Sequence, residues 1–337
     1  MADVCPAEAV TAAAAPAAHE ALACPKCRAP ALAAGAARFT CAACGASYPV
    51  QGGVPSLIVA GAKVLAGEEA RLEFWDEGWK KRFGHAVALS REEVRAMREK
   101  FRAQMEEERY ASVTLFDPER LAGKRLLNVG CGAGEEGLLF SGYGADYIGI
   151  DFSPAAASIT TTLIARAGWR GVAYQAEAER LPIATASIDY VYTNGVLHHT
   201  PDTADTMREI HRVLKPGGIA VIGLYATNSA QFLWYRLHAI LHGRLTRGAI
   251  ARWLDAATEG EWRTAERVNQ LTKTYTRKQF AALLRAAGFS DFTLEQSMLL
   301  VRDTPVMGRI AARIAPGLGT ARLDRFGMML MATCRKM

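Results

Sequence analysis

The sequence contains no apolar run long enough to cross a membrane, which takes roughly 20 residues in a helix. Its apolar runs, such as those at 126–129 and 220–224, have the length of β-strands. The first 20 residues are rich in alanine but lack the basic start and strongly apolar stretch of a secretory signal. We therefore expect no membrane span, a disordered tail over residues 1–20, and a cytoplasmic protein.

The chain also lacks a strong charge of either sign, because 40 lysines and arginines face 34 aspartates and glutamates. The net charge of +6 is compatible with RNA or with anionic small molecules and requires neither. Half of the residues are hydrophobic and 22% are charged, a balance that supports a buried core. A chain of 337 residues suits two or three domains.

Cysteines are few, but four of the seven form two close pairs near the N-terminus. Cys24-Pro-Lys-Cys27 and Cys41-Ala-Ala-Cys44 are separated by 13 residues, a spacing at which four thiolates converge on one metal ion. Thiolate ligands indicate zinc, and four of them leave no open position for water, so a structural site is expected. Disulfides or a redox-active pair are the alternatives, although no thioredoxin-like strand and helix surround either pair.

Residues 21–59 resemble the small zinc-ribbon proteins that serve as activator subunits of tRNA, rRNA and protein methyltransferases. The resemblance includes the run from Tyr48 through Gly53 to Leu57. It implies a module that docks on or stabilises a catalytic domain, here within the same chain.

A charged, helical connector is predicted over residues 60–115, where Ser90-Arg-Glu-Glu93 forms a capping box. Four aromatic residues lie just upstream of that box. We expect them to pack in the core, with substrate contact as the alternative. They are Phe74, Trp75, Trp79 and Phe83.

A glycine-rich turn follows the next predicted strand, 124–129, and precedes a helix. In the turn, Gly130-Cys-Gly132-Ala-Gly134, glycines let the backbone approach a ligand, and the helix N-terminus offers unpaired N–H groups to an anion. A second buried strand, 147–150, ends at Asp151, whose carboxylate can accept hydrogen bonds from ribose hydroxyls. NAD-binding proteins show the same pattern, so the segments that follow decide between the two classes.

Four further motifs follow in a fixed order. They are Phe152-Ser-Pro154, Glu177-Ala178-Glu-Arg-Leu-Pro182, Asn194-Gly-Val-Leu-His198-His199 after a strand at 188–192, and Arg212-Val-Leu-Lys-Pro-Gly-Gly218. Together with the glycine turn they resemble class I S-adenosylmethionine (SAM)-dependent methyltransferases over residues 120–225, particularly the ubiquinone and menaquinone C-methyltransferase branch.

The resemblance implies an α/β fold in three parts. Residues 116–225 and 273–337 form a Rossmann-like methyltransferase core, and residues 226–272 form a helical cap insertion. The closing strands of the core are expected at 289–294 and 326–334.

The resemblance also assigns the cofactor site. Gly130, Gly132 and Gly134 border the methionyl and ribose parts, Asp151 holds the ribose, and Glu177 lies near the adenine amino group. Asn194 follows the fourth strand at the reactive end. The implied set is completed by Phe152, by the Ala178 backbone and by Asn128, which replaces a usually acidic residue near the methionine ammonium.

Methyl transfer requires little more from the protein than orienting the acceptor, because the methyl group on a sulfonium is already activated. A general base helps only if the acceptor carries a proton, and His198 or His199 is the nearest candidate. The alternative is that this pair only packs and hydrogen-bonds at the end of the strand.

The substrate is inferred from the cap insertion. Its apolar helix, 232–241, is expected to roof an acceptor pocket, with an ordinary packing helix or a dimer contact as the alternative. An enclosed pocket favours a small-molecule acceptor. The alternatives are an RNA base methyltransferase, for which Lys80-Lys81-Arg82 could meet phosphates, and a non-catalytic scaffold that binds cofactor weakly.

Overall fold

A computed structural model of the chain describes most of its length. The described residues are 20–30, 32–59, 68–107, 118–243, 246, 248–249, 271–297 and 326–337. Nearly all of the predicted tail at 1–20, much of the cap insertion and the segment 302–325 lie outside them. Among the described helices, none is both long and apolar enough to span a membrane.

The N-terminal module is a small antiparallel sheet. Its strands are β1 (Leu32–Ala34), β2 (Arg38–Cys41), β3 (Ser47–Gln51) and β4 (Val54–Pro55), paired in sequence order. The two cysteine pairs lie on turns that flank β1 and β2. The sheet is therefore compatible with the predicted zinc ribbon.

The described part of the connector contains two α-helices, α1 (Glu68–Phe83) and α2 (Arg91–Glu107), with a 3₁₀ helix at Gly84–Ala88 between them. The predicted capping box at the start of α2 is confirmed, because Ser90 N–H donates to Glu93 Oε2 and Glu93 N–H donates to Ser90 Oγ. The buried face of α2 includes Val94 and Met105. A short helix, α3 (Pro118–Leu121), leads into the next domain.

That domain is a seven-stranded sheet. Its strands are β5 (Arg125–Val129), β6 (Asp146–Asp151), β7 (Gly171–Gln175), β8 (Ile188–Asn194), β9 (Leu214–Tyr225), β10 (Asp291–Ser297) and β11 (Met329–Arg335). The order across the sheet is β10-β11-β9-β8-β5-β6-β7. Strands β5 to β9 run parallel, whereas β11 pairs antiparallel with both β9 and β10. This mixed sheet confirms the predicted Rossmann-like methyltransferase core.

Helices cover both faces of the sheet. They are α4 (Glu135–Gly142), α5 (Pro154–Ala167), α6 (Thr203–Val213), α7 (Ala230–Leu241) and α8 (Arg277–Ala286). The start and end of α5 follow the sequence closely: Ser153 Oγ accepts from Ala156 N–H, Pro154 opens the helix, and Gly168 closes it with φ 78°. Thr276 and Gln279 form a capping box at the start of α8.

The closing strands lie two to three residues later than predicted. After α8 the chain turns at Gly288, with φ 104°, and Phe289 packs its ring on His211 at 5.0 Å instead of entering the sheet. Strand β10 therefore begins at Asp291. Strand β9 begins earlier than expected, at Leu214, which pairs with Ile188 ahead of a register shift.

Candidate cofactor cavity and metal centre

A cavity of about 570 Å³ lies at the carboxyl ends of the parallel strands. Strand β5 lies between β6 and β8, so the strand order reverses its direction across the sheet at β5. In open α/β sheets such a switch point forms a crevice for ligands. The lining residues come from the ends of β5, β6 and β7, from the segment after β8, and from α1.

Asp151 is the best-placed polar group in this cavity. One carboxylate oxygen accepts from Gly132 N–H at 2.9 Å and the other from Ser153 N–H at 2.9 Å. Burial raises the pKa of Asp151 to about 6, although these backbone hydrogen bonds oppose the shift. Each oxygen keeps a further lone pair, so the carboxylate can accept from a pair of ligand hydroxyls.

The roof of the cavity comes from the connector. Trp75 and Trp79 of α1 line the cavity, and the six-membered ring of Trp79 lies about where a Cβ on Gly132 would project, 2.7 Å from that position. Only glycine fits beneath that ring. The sequence favoured core packing for Trp75 and Trp79. Both are only partly buried and line the cavity, whereas Phe74 of the same helix is buried.

Asp76 connects α1 to residues 153–155, at the start of α5. Its carboxylate accepts from Ser153 Oγ at 2.7 Å and from Ala155 N–H at 2.9 Å, and pairs with Lys80 at 2.8 Å. Burial alone would raise the pKa of Asp76, but the hydrogen bonds from Lys80, Ser153 and Ala155 outweigh it and hold the pKa below its ordinary value. Nothing in the local sequence marked this residue as part of the site.

The opposite wall contains the residues predicted for adenine. Glu177 and Ala178 line the cavity after β7, and Phe152 lines it beside Asp151. The cavity is also lined by charged residues, from α1 and from the segments after β7 and β8, that the sequence interpretation missed. They are Arg71, Glu179, Arg180, Asp202 and Asp205. Asp202 was detectable as the N-cap of α6, where its side chain accepts from Asp205 N–H.

Four of the predicted cofactor residues, Gly132 among them, are not in the lining of this cavity. Asn128 is buried beneath the cavity, where its amide donates to the Tyr147 hydroxyl at 3.1 Å. Gly134 packs against Thr160 of α5. Asn194 is the last residue of β8, and its carboxamide oxygen lies over Gly223. Gly130 does line the cavity, next to Val196.

The two histidines have different surroundings. His199 lines the cavity, with its ring 5.3 Å from the Trp75 ring and its Nδ1 2.7 Å from the Leu271 carbonyl oxygen. His198 is fully buried and stacks on Tyr225 at 3.6 Å. Burial lowers the pKa of His198 well below its ordinary value, so this ring is neutral. Of the two candidate bases, only His199 reaches the cavity.

The four N-terminal cysteines form one cluster. The Sγ atoms of Cys24, Cys27, Cys41 and Cys44 all lie within 4.8 Å of one another. Sγ of Cys24 is 3.7 Å from that of Cys44, and Sγ of Cys27 is 3.6 Å from that of Cys41. Tetrahedral zinc with bonds of about 2.3 Å holds its sulfurs about 3.8 Å apart, so the cluster fits that ion. The described cysteines form no disulfide.

Both turns of the cluster have the same backbone shape. The residue after the second cysteine is left-handed in each, Arg28 with φ 66° and Gly45 with φ 68°. Its N–H donates back to the carbonyl of the first cysteine, Cys24 in one turn and Cys41 in the other. Gly45 adopts this conformation without strain, whereas Arg28 is one of two described non-glycine residues with a positive φ.

The cysteine module is joined to the wall of the cavity. Ala23 N–H donates to the Pro182 carbonyl and Leu57 N–H to the Gln175 carbonyl. Backbone hydrogen bonds from the module therefore reach both ends of the segment 175–182, which contains Glu177 and Ala178. Glu209 accepts from Arg28 of the module, from Arg212 and from Leu181 N–H. The module and the large sheet also share one hydrophobic core.

The sheet order and the cavity at the switch point define a Rossmann-like domain of the class I methyltransferase type. Residues 127–222 match the methyltransferase domain family. The chain thus carries a SAM-dependent methyltransferase domain.

Curated relatives match over the same region. A ubiquinone biosynthesis O-methyltransferase of Pseudomonas aeruginosa is 30% identical over 118 residues, covering 34% of this chain and 50% of the relative. A tRNA U34 carboxymethyltransferase of Trichlorobacter lovleyi is 33% identical over 105 residues, covering 30% and 32%. The chain thus spans half, or less, of the length of these relatives.

Among solved structures, a SAM-dependent methyltransferase from Mesorhizobium loti is similar with 23% identity and a TM-score of 0.44. The match covers 67% of this chain and 97% of that one. A similarity of this size says nothing about substrate.

Proposed function

We propose that the chain transfers the methyl group of SAM to a small-molecule acceptor held beside His199. The observation that carries the proposal is the cavity itself, which combines the Asp151 carboxylate with a roof of Trp75 and Trp79. Its volume of about 570 Å³ is in the range of small-molecule sites, roughly 300–1,000 Å³. SAM supplies the activated methyl group when bound.

The residues of the chain have distinct tasks in this proposal. Asp151 accepts from the ribose hydroxyls, Glu177 and the Ala178 backbone adjoin the adenine, and Gly130 lets the backbone approach the methionyl part. The tryptophan roof excludes water and narrows the positions open to the acceptor. Asn128 donates from its amide group to the Tyr147 hydroxyl, and its buried Oδ1 has no hydrogen-bond partner among the described residues, so its contact with the methionine ammonium stays a prediction.

His199 is the proposed general base for an acceptor that carries a proton. A carbonyl oxygen only accepts, so Nδ1 must donate to Leu271, and this places the lone pair of the neutral ring on Nε2. The same hydrogen bond fixes the orientation of the ring. His198 supports Tyr225 and His199 by ring contacts at 3.6 and 4.3 Å.

The four-cysteine cluster is proposed to bind one zinc ion with a structural role. Four sulfurs satisfy tetrahedral coordination completely, so the ion would cross-link the two turns and take no part in methyl transfer. Through Pro182 and Gln175 the cross-linked module then supports the segment that carries Glu177.

Labelling of a host-cell lysate tests the function. The protein is incubated with SAM carrying a radiolabelled methyl group, and the lysate is then separated into RNA, protein and small-molecule fractions. We expect label in the small-molecule fraction. Label in RNA would contradict the proposal in favour of a base methyltransferase, and absence of SAM binding would leave the chain as a scaffold.

Replacing His199 tests the proposed base. We expect His199→Gln to lower the labelling rate about 10²- to 10⁴-fold, the usual contribution of a general base, while SAM affinity changes less than about twofold. His242→Gln, at an exposed residue directly after α7, is the matched control and keeps the parental rate. A His199→Gln protein that labels at the parental rate would show that no base acts there.

Cofactor affinity should depend on pH through Asp151. The ionised carboxylate accepts hydrogen bonds from ribose, and its pKa of about 6 means that it becomes protonated as the pH falls through that value. We expect SAM affinity to be constant above about pH 7 and to fall toward tenfold per unit below pH 6. Titration calorimetry between pH 5 and about pH 8 measures this. The weaker affinity of Asp151→Asn should show no such fall, and a parallel fall in both proteins would assign the effect to another group.

A further inference from the structure

Helix α7 has two apolar faces, and one of them packs against the rest of the domain. Phe232 and Ala239 are buried, and the Phe232 ring packs 5.2 Å from Tyr225. On the other side a second set of large apolar side chains is exposed. These are Leu233 (51% exposed), Trp234 (37%), Leu237 (48%), Ile240 (46%) and Leu241 (70%).

The five exposed side chains form one continuous stripe. At 3.6 residues per turn they fall within an arc of about 120°, centred nearly opposite Phe232 and Ala239. We call this set the α7 apolar stripe. A helix that packs with one face on its own domain ordinarily presents polar residues on its outward face. The outward face of α7 is apolar instead.

The charge around the stripe selects the kind of surface that it fits. Residues 226–243, which contain α7 and its described flanks, include no aspartate or glutamate, and their lysine and arginine content is Arg236 alone. Arg236 lies beside the stripe and donates to the Thr227 carbonyl, so its charge is held at the edge of the helix. Leucine, isoleucine and tryptophan beside a cationic side chain, without an acidic residue, are typical of helices that lie in the interface of anionic membranes.

The position of α7 adds a reason for such contact. Its buried face reaches the cavity through two ring contacts, Phe232 to Tyr225 and Tyr225 to His199 at 5.8 Å. A lipid surface under the stripe would therefore lie on the acceptor side of the site.

We propose that the α7 apolar stripe docks the protein on the surface of an anionic lipid bilayer. The helix lies in the interface with its apolar side chains among the acyl chains, and no helix of the described residues spans the membrane. This inference goes beyond the proposed function and does not depend on it, since binding to lipid requires no methyl transfer.

Vesicle flotation with the full chain tests the proposal. The probes are vesicles of phosphatidylcholine alone and vesicles in which half of it is replaced by phosphatidylglycerol. We expect flotation with the anionic vesicles, about fivefold weaker binding to the neutral ones, and weaker binding at high salt. Absence of flotation with anionic vesicles would overturn the proposal.

The variants show which surface binds. The double variant Leu237→Gln and Leu241→Gln should bind anionic vesicles about tenfold or more weakly, because two apolar side chains no longer enter the interface. Val87→Gln, an apolar-to-polar change at a residue 37% exposed on another surface, is the matched control and should bind as the parent does. Unchanged SAM affinity confirms that the double variant is folded.

Two results assign the stripe differently and overturn the proposal. Equal vesicle binding by the double variant and the parent would place the lipid contact elsewhere. A parent that forms dimers by light scattering, lost in the double variant, without vesicle binding, would make the stripe a contact between two copies of the chain.

Discussion

Asp151→Ala should lose SAM binding. The Asp151 carboxylate is held by Gly132 N–H and Ser153 N–H and faces the cavity, where it would accept from both ribose hydroxyls. Hydrogen bonds to a charged group contribute about 1.5–3 kcal/mol each, so loss of two weakens binding at least about 100-fold. Titration calorimetry with SAM measures the change.

The zinc content of this variant separates a local effect from unfolding. Asp151 is remote in sequence from the cysteine cluster, and its carboxylate accepts from Gly132 and Ser153 of the large domain. Asp151→Ala should therefore retain the parental zinc content. Asp151→Asn, which keeps the shape of the side chain, should bind SAM weakly as well. Parental affinity in either variant would exclude the proposed ribose contact.

Cys27→Ser should release the zinc ion and unfold the N-terminal module. Cys27 is exposed, so its replacement removes little packing, and any large effect must come from the metal. Structural zinc contributes about 10–16 kcal/mol to the folding of small zinc domains, and serine is a poor ligand. We expect about one zinc per parental chain, almost none in the variant, and a clearly lower melting temperature. Elemental analysis and thermal unfolding measure both.

Cys334→Ser is the matched control for this experiment. Cys334 is fully buried in β11, so its replacement disturbs packing more directly than the change at Cys27. It should nevertheless leave the zinc content at the parental level. Retention of zinc by Cys27→Ser would show that the four thiolates do not form the metal site.

The core of the fold was predictable because its signals are local. The apolar strands around Gly130 and Asp151, the Ser153 cap and the Gly168 stop all depend on neighbours within a few residues, and the structure has each of them. The bounds of β10 and β11 were less predictable. Both lie at the end of the sheet, where Phe289 packs against His211 of another helix, a contact between residues distant in sequence.

The site was predicted in part for the same reason. Asp151 and Glu177 follow buried strands, and strand ends converge at one edge of a parallel sheet. Trp79 and Asp76 come from a helix more than fifty residues upstream, and only the folded chain brings them to Gly132 and Ser153. Asn128 differs from these residues: its place in the motif predicts a ligand contact, its amide donates to the Tyr147 hydroxyl, and the ligand contact stays a prediction.

The arrangement of the two domains could not be predicted from the sequence either. The resemblance to activator subunits implied docking but not where it occurs. In the structure the module contacts the edge strand β7 and the segment that follows it, with Phe39 packing edge-to-face on Tyr174 at 6.5 Å. Phe39 and Tyr174 are 135 positions apart, and neither lies in a recognisable motif.

A crystal structure of the protein with bound S-adenosylhomocysteine tests the central claim most directly. The account predicts the ligand in the cavity at the ends of β5, β6 and β8, with both ribose hydroxyls within about 3.2 Å of the Asp151 carboxylate and the adenine beside Glu177 and Ala178. A ligand whose ribose lies away from Asp151, or a cavity that stays empty at saturating ligand, would contradict it.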